Sequence, residues 1–357
     1  MIIGIPKETK KNEFRVALVP EHAAQLTKLG HTVFVEKGAG AGCKFSDVDY
    51  EKAGAQIKDS VYDSEMIVRV KEPLLNTIRK NQIVMGYLHI EKGQNPPLLN
   101  KLLNQNTTSY AYEEIKDNKG ERLVNLGVEA GIVGMYEGLR LYGKILERNN
   151  ISNKLKYLKP SKDYFSVEKI FTTLSKSNIE NGVNVYIFGK GTVSKGAQEI
   201  LKYSSIKANV LYRNKTAFIE KYLPKADIIV NAIDWYPGEP HIIKRDMLKL
   251  MKKTAVIVDI SCDTNGGIET CIPTTWENPT YSVEGVTHFC VDNLPSAIPR
   301  DASIHLSEMI LPHVIKVAED NDYSNGLMTK KGIFEYAKRK EASEKFEKEL
   351  LVIKEIV

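Results

Sequence analysis

The chain has 357 residues, 42% hydrophobic and 27% charged, with a formal net charge of +5. That length suits two domains, and the balance is that of an ordinary globular chain. The positive excess is dilute, with no long basic run interleaved with aromatics, which excludes nucleic acid as a partner. Apolar runs such as Ala255 to Ile260 are far too short to cross a bilayer.

The N-terminus, MIIGIPKETKK, reads as a short strand followed by charge and not as a signal peptide. Residues 2–5 are predicted as a strand, followed by the charged loop Lys7 to Arg15. Pro20 opens a helix to about Leu29, and Thr32 to Glu36 form a strand. Ser46 caps a helix over Asp47 to Ala53. Met66 to Val70 is a strand ending in Lys71-Glu72-Pro73. Ile83 to Leu88 is another, ending in His89. After a helix over 97–105, the strand Thr108 to Tyr112 ends in Glu113. Polar residues thus collect at the C-terminal ends of strands in an alternating β/α block, where parallel sheets bind ligands.

Ala130 to Arg148 reads as a long helix with Gly131, Gly134 and Gly138 on one side, suited to linking two domains by close packing. A helix over Tyr164 to Ser177 follows, then the unit VNVYIFGKGTVSKGAQEILKYSSIKANVLYRNK at 183–215. Its strand, glycine turn, helix and second strand fit the first βαβ unit of a dinucleotide-binding sheet. Gly189 permits the turn, and Gly191 lets the backbone approach a pyrophosphate at the helix start, beside Thr192 and Val193. A carboxylate for the ribose 2′-OH is expected after the second strand. The chain instead reads Tyr212-Arg213-Asn214-Lys215, which favours NADP(H) over NAD(H). Further strands are expected at 228–230, 255–258 and 287–291, then a helix over Ala302 to Ala318 that crosses back, and a loosely packed charged tail from Glu319. The four cysteines, Cys43, Cys262, Cys271 and Cys290, show no CxxC and no ligand spacing. They read as reduced and structural, hence cytoplasmic. The histidines have no paired spacing, so no metal site is expected.

Several of these stretches resemble the alanine dehydrogenase and pyridine nucleotide transhydrogenase superfamily: IPKETKKNEFRVALVP at the start, VKEP at 70–73, YLH at 87–89, and a glycine loop placed second along the chain. AGIVGMYEGLRLYG at 130–143, DISCDTNGGIE at 259–269 and VDNLPSAIPRDAS at 291–303 resemble more closely the saccharopine branch, which includes lysine-ketoglutarate reductase and carboxyethylornithine synthase. Asp292 fits that branch. Glu129, where the branch usually has an aromatic, departs from it. The resemblance implies an α/β fold of two Rossmann-like domains with parallel sheets, joined by long crossing helices around a cleft. Residues 1–130 with about 304–357 would form the substrate domain, and 131–303 the NAD(P)-binding domain.

The chemistry implied is reductive coupling of an amino acid, lysine, to a 2-oxo acid, 2-oxoglutarate, through an imine, or the reverse. Coupling of a diamino acid to pyruvate, plain alanine dehydrogenation, and a catalytically silent NADP-binding regulator are the alternatives. A small-molecule amino acid and 2-oxo acid are the expected partners, and the chain is compatible with a homo-oligomer. Lys71 and His89 are the acid/base candidates, with Glu113 moderating them. Arg15 is the carboxylate clamp, and Lys10, Lys92 and Glu72 line the substrate side. Asp263, Asp292 and Asn293 are placed near the nicotinamide and its ribose, and Asn231 where the cofactor crosses the sheet.

Overall fold

The computed structural model describes residues 1–336 except 92–94, 178, 180–181, 217 and 237. Contacts divide the chain into two compact units, one of residues 1–125 with the chain from Ser303 onward, the other Leu126–Ala302.

Numbered along the whole chain, the strands of the first unit are β1 (Ile2–Ile5), β2 (Thr32–Glu36), β3 (Gln56–Lys58), β4 (Met66–Val68), β5 (Ile83–Gly86), β6 (Thr108–Ala111), β13 (Leu327–Lys330) and β14 (Ile333–Phe334). They form one eight-stranded sheet in the order β14-β13-β6-β5-β4-β1-β2-β3. Strands β1 to β6 are parallel, and β13 and β14 join antiparallel. Parallel strands covered on both faces need apolar residues at almost every position. Ile3, Ile5, Val35, Met66, Val68 and Met85 meet that need, each fully buried. The order runs outward one way through β2 and β3 and the other way through β4 to β6. It therefore reverses between β1 and β4, and such a reversal opens a crevice at the strand C-termini. Helix α1 (Pro20–Lys28) starts on a proline, and α2 (Asp47–Lys52) on a capping box between Ser46 and Asp49. Helix α3 (Pro96–Asn104) is capped by Asn95. The described part of the tail, to residue 336, corrects the expectation of loose packing. Met328 is fully buried, and the Thr329 hydroxyl pairs with that of Ser109 at 2.8 Å.

The second unit opens with α4 (Gly127–Arg148) and α5 (Val167–Lys176), then alternates β7 (Val185–Phe188), α6 (Thr192–Leu201), β8 (Ala208–Leu211), the single turn α7 (Arg213–Thr216), β9 (Ile228–Asn231), β10 (Val256–Asp259), β11 (Thr280–Val283) and β12 (Val286–Phe289). The sheet order is β11-β12-β10-β9-β7-β8, parallel except for the β11 edge. Its reversal lies between β7 and β9. Helix α8 (Pro299–Glu319) begins in this unit and continues into the first. There Ser303 and Ser307 accept from the backbone N–H groups of Val16 and Val19, both at 3.0 Å, and pin the loop that carries Arg15.

Helix α4 lies directly on α6. A Cβ on Gly131 would stand 2.0 Å from the Val193 carbonyl oxygen, and one on Gly196 would stand 2.0 Å from the Val128 carbonyl oxygen. Reciprocal glycines therefore set the helix spacing that holds the nucleotide turn against its sheet. Alanine at 131 would gain about 1 kcal/mol of helix propensity. The clash is with backbone, however, which no rotamer change relieves. Overpacking of this kind costs about 1–3 kcal/mol or more. Gly131→Ala is therefore expected to lower the urea midpoint, and an unchanged or raised midpoint would show that the helices separate at no cost.

Candidate active site

In the first unit, the chain leaves four neighbouring parallel strands at one edge of the sheet and places its charged residues there. The loop after β1 brings Glu8, Lys10, Glu13 and Arg15. Arg69, Lys71 and Glu72 follow β4; Tyr87 and His89 follow β5; Tyr112 and Glu113 follow β6.

Glu113 fixes the arrangement. It is 2% exposed, and its Oε1 accepts from the backbone N–H groups of Leu88 at 3.0 Å and His89 at 2.6 Å. Among the described residues its Oε2 has no hydrogen-bond partner. Burial outweighs the two N–H donors and pushes the carboxyl up to about 7. His89 is held in the left-handed backbone region, φ 51°, a conformation that persists in a non-glycine residue only where surroundings enforce it. Its Nδ1 lies 3.8 Å from Glu113 Oε1 and its Nε2 3.7 Å from Glu72 Oε1, and its ring stacks on Tyr87. Burial lowers the imidazole pKa despite Glu72. Lys71 sits over the Tyr87 ring, 5.8 Å from Nζ to the centroid, and burial first, then the charges of Arg15 and Lys10, lower its pKa. Among the described residues no carboxylate pairs with its Nζ.

Two buried ion pairs stand beside these residues. Arg15 presents Nε and Nη2 to the two oxygens of Glu13, with Nε to Oε1 at 2.7 Å. Arg69 donates through Nη2 to Glu8 Oε2 at 2.9 Å, while Glu8 Oε1 accepts from Val70 N–H at 2.7 Å. Arg15 was expected as a clamp for substrate; in this state its fork is engaged by Glu13. Glu8, Glu13 and Arg69 were missed by the sequence reading. Arg69 alone left a signal, since it interrupts the apolar run Ile67 to Val70. Lys10 stays exposed near Lys71, and Lys92 lies outside the described residues.

In the second unit, the strand-order reversal carries a cavity of about 770 Å³ lined by Gly189, Lys190, Gly191, Tyr212, Asn214, Asp234 and Tyr236, among others. Gly189 has φ 102°, and a Cβ there would meet the Ala232 carbonyl at 2.6 Å. Gly191 is the N-cap of α6, which has no side-chain cap, and nothing lies within 4 Å of where its Cβ would be. The bare helix start beside an open wall fits a pyrophosphate. Thr192 and Val193 form the first turn. The side chain of Arg213 lies outside the described residues; Lys215 is exposed. Asn231 differs from expectation. It is fully buried, with Nδ2 donating to Asp259 Oδ1 at 2.9 Å and Oδ1 accepting from Ile233 N–H at 3.3 Å, so its side chain ties strands together beneath the cavity. Among the described residues, Asp263, Asp292 and Asn293 are not on the cavity wall. Asp263 turns the backbone toward Gly266, and Asn293 takes φ 90°. The four cysteines are free, with Cys271 and Cys290 buried beside Asp259. No helix among the described residues is long and apolar enough to cross a membrane.

The alanine dehydrogenase/PNT N-terminal domain model matches residues 4–133, and the C-terminal domain model residues 172–340. Alanine dehydrogenase of Mycolicibacterium smegmatis is 30% identical, covering 93% of this chain and 94% of the relative. Alanine dehydrogenase of Halomonas elongata is 32% identical, covering 89% and 88%. Among solved structures, an L-alanine dehydrogenase superposes with a TM-score of 0.75 at 29% identity, covering 94% of this chain and 96% of that one. A transhydrogenase from Sinorhizobium meliloti superposes with a TM-score of 0.71 at 20% identity, covering 94% and 100%, a likeness of fold. Two Rossmann-like units with largely parallel sheets are thus the architecture of this chain.

The pKa of Glu113 yields a test of the site's electrostatics. Its folded value, about 7, stands above the ordinary 4.5 of the unfolded carboxyl. The proton therefore stabilises the fold. That contribution is complete below 4.5 and is lost as pH rises through 7, on the order of 3 kcal/mol in all. Glu113→Gln is expected to remove this slope, so that urea unfolding of the wild type loses stability between pH 5 and pH 8 relative to the variant. Parallel curves would contradict the assignment.

Proposed function

The chain belongs to the alanine dehydrogenase/PNT family, and from that premise we propose that it is a nicotinamide-dependent amino-acid dehydrogenase interconverting a small amino acid with its 2-oxo acid and ammonia. The observation that carries this reading is the meeting at one sheet edge of Lys71 and His89, each held below its ordinary pKa, with the buried carboxyl of Glu113 beside the imidazole. A lysine shifted down in this way is a better proton acceptor than an ordinary one, which suits acid/base work.

The saccharopine reading gives way to its alanine-type alternative for two reasons. The relatives that match most of the chain are named alanine dehydrogenases. The first unit also buries two of its guanidinium groups against glutamates, Arg15 on Glu13 and Arg69 on Glu8, which lowers the positive charge it offers to the two or three carboxylates of a saccharopine-type product. With a small substrate, Lys10 and Lys92 have no further carboxylate to meet.

The bound nicotinamide supplies the hydride acceptor for the substrate Cα. Arg15, aligned by Glu13, binds the substrate carboxylate. Lys71, its pKa lowered by burial and by Arg15 and Lys10, takes the proton from the amine and later serves the water that attacks the imine carbon. His89, neutral and oriented by its left-handed backbone, passes protons to and from the carbinolamine, with Glu113 and Glu72 adjusting its basicity. The acid expected after β8 is absent, which supports NADP(H) over NAD(H); Asp234, after β9, is the acidic group on the described cavity wall.

Two assays test this. Oxidation of NADPH and NADH with pyruvate or 2-oxoglutarate, crossed with ammonia, lysine and ornithine, is expected to show turnover with pyruvate and ammonia. Lys71→Met with His89→Gln is expected to abolish it while leaving cofactor affinity nearly intact. Turnover confined to lysine and 2-oxoglutarate would restore the saccharopine reading, and cofactor binding without turnover would favour a silent regulator. For the cofactor, Arg213→Asp is expected to shift the ratio of kcat/KM values toward NADH by roughly tenfold, the loss of one charge-assisted contact. An unchanged ratio would remove Arg213 from cofactor selection.

A further inference from the structure

His89, Glu91 and Glu113 each place one potential ligand atom so that all three lie within 4.8 Å of one another. Two features of this cluster are not explained by acid/base catalysis. Glu91 Oε2 and Glu113 Oε2 are both buried, and among the described residues neither has a hydrogen-bond partner. Glu113 spends only Oε1 on the backbone of Leu88 and His89. Two carboxylates, each with a buried oxygen lacking a partner among the described residues, stand beside an imidazole as an incomplete coordination sphere, because buried oxygens of this kind are ordinarily satisfied by a donor or a cation.

The geometry points to a binding site for a divalent transition ion, taken here as Zn²⁺, held by His89, Glu91 and Glu113. An imidazole with two carboxylates is a ligand set that zinc accepts, with ligands about 2.0–2.2 Å from the ion. In a tetrahedral site, ligands at those lengths stand about 3.4 Å apart, so the cluster needs to close by about 1.5 Å at most, within side-chain reach. Glu72 supplies an outer carboxylate. With His89 Nδ1 turned to Glu113, its Nε2 faces Glu72 at 3.7 Å, the arrangement in which an outer carboxylate fixes the tautomer of a ligating histidine. The His89 side chain is 39% exposed, which gives the ion a route in. Lys71 and Lys10 face the same imidazole and oppose a cation, so the site is of modest affinity. The three ligands come from the ends of two adjacent strands, which is why no ligand spacing shows in the sequence. Under the proposed function, an ion on His89 occupies the nitrogen needed for proton transfer, so this site would restrain the enzyme.

The inhibitory consequence rests on the proposed function; binding does not. The test therefore reads the metal directly. Calorimetric titration of the full chain with Zn²⁺ is expected to show one site per chain, weakened at least tenfold in Glu91→Gln, a residue outside the proposed catalytic set, and in His89→Gln. Saturation with Co²⁺ adds a check on the unaltered protein. Histidine and carboxylate ligands give d–d bands without thiolate charge transfer, whereas a thiolate band would move the ion to Cys271 and Cys290 in the other unit. Absence of binding, undiminished binding in both variants, or a thiolate band would each overturn the site. An enzyme inactive with every amino acid would sink the dehydrogenase reading and leave these results interpretable.

Discussion

The first unit depends on one buried carboxylate. Glu113 ends β6, and by accepting the N–H groups of Leu88 and His89 it ties the end of that strand to the end of β5. The same contact holds His89 in a left-handed conformation that costs about 1–3 kcal/mol to maintain and that an unsupported histidine would leave. The position of the imidazole at the sheet edge follows from it. The cost is a carboxyl with one unsatisfied oxygen and a raised pKa. Natural cores tolerate such groups chiefly at functional sites.

Around this contact, charge is arranged in opposed pairs. Glu8 neutralises Arg69 and Glu13 neutralises Arg15, so two guanidinium groups are buried at the sheet edge without leaving isolated charges. Breaking either pair by removing one partner would leave a buried charge uncompensated, the costliest class of change in a core. Lys71 is the exception, a largely buried cation with no acidic partner among the described residues. Its lowered pKa is the electrostatic consequence of that inequality.

Much of this was legible in the sequence, and the exceptions are physical. Apolar runs ending before Lys71, His89 and Glu113 located β4, β5 and β6, each of which ends one or two residues earlier than expected, because parallel strands buried on both faces are written in uninterrupted apolar residues. The glycines at 189 and 191 are visible because their backbone conformation and close approach demand them. Glu8 and Glu13 were invisible, since a run such as KETKKNE reads as solvated loop and only the tertiary fold buries two of its acids. Asn231 was assigned to the cofactor by position, but its burial commits it to Asp259. The tail strands escaped because β14 is two residues long and β13 takes its register from β6. The motifs that suggested a lysine-type substrate, at 259–269 and 291–303, fall largely in the nucleotide unit, while the proposed acid/base residues lie in the other. Those motifs therefore say little about the amino donor.

The central claim is that Lys71 works as a proton carrier because its surroundings depress its pKa. Arginine at this position keeps the charge and cannot release a proton, so the pH profile of kcat/KM for alanine oxidation by Lys71→Arg separates a carrier from a fixed cation. The account predicts that the wild-type profile rises through a limb below the ordinary lysine value of 10.5, and that the variant loses this limb together with most of its turnover. A variant that turns over at the wild-type rate with the same profile would contradict it.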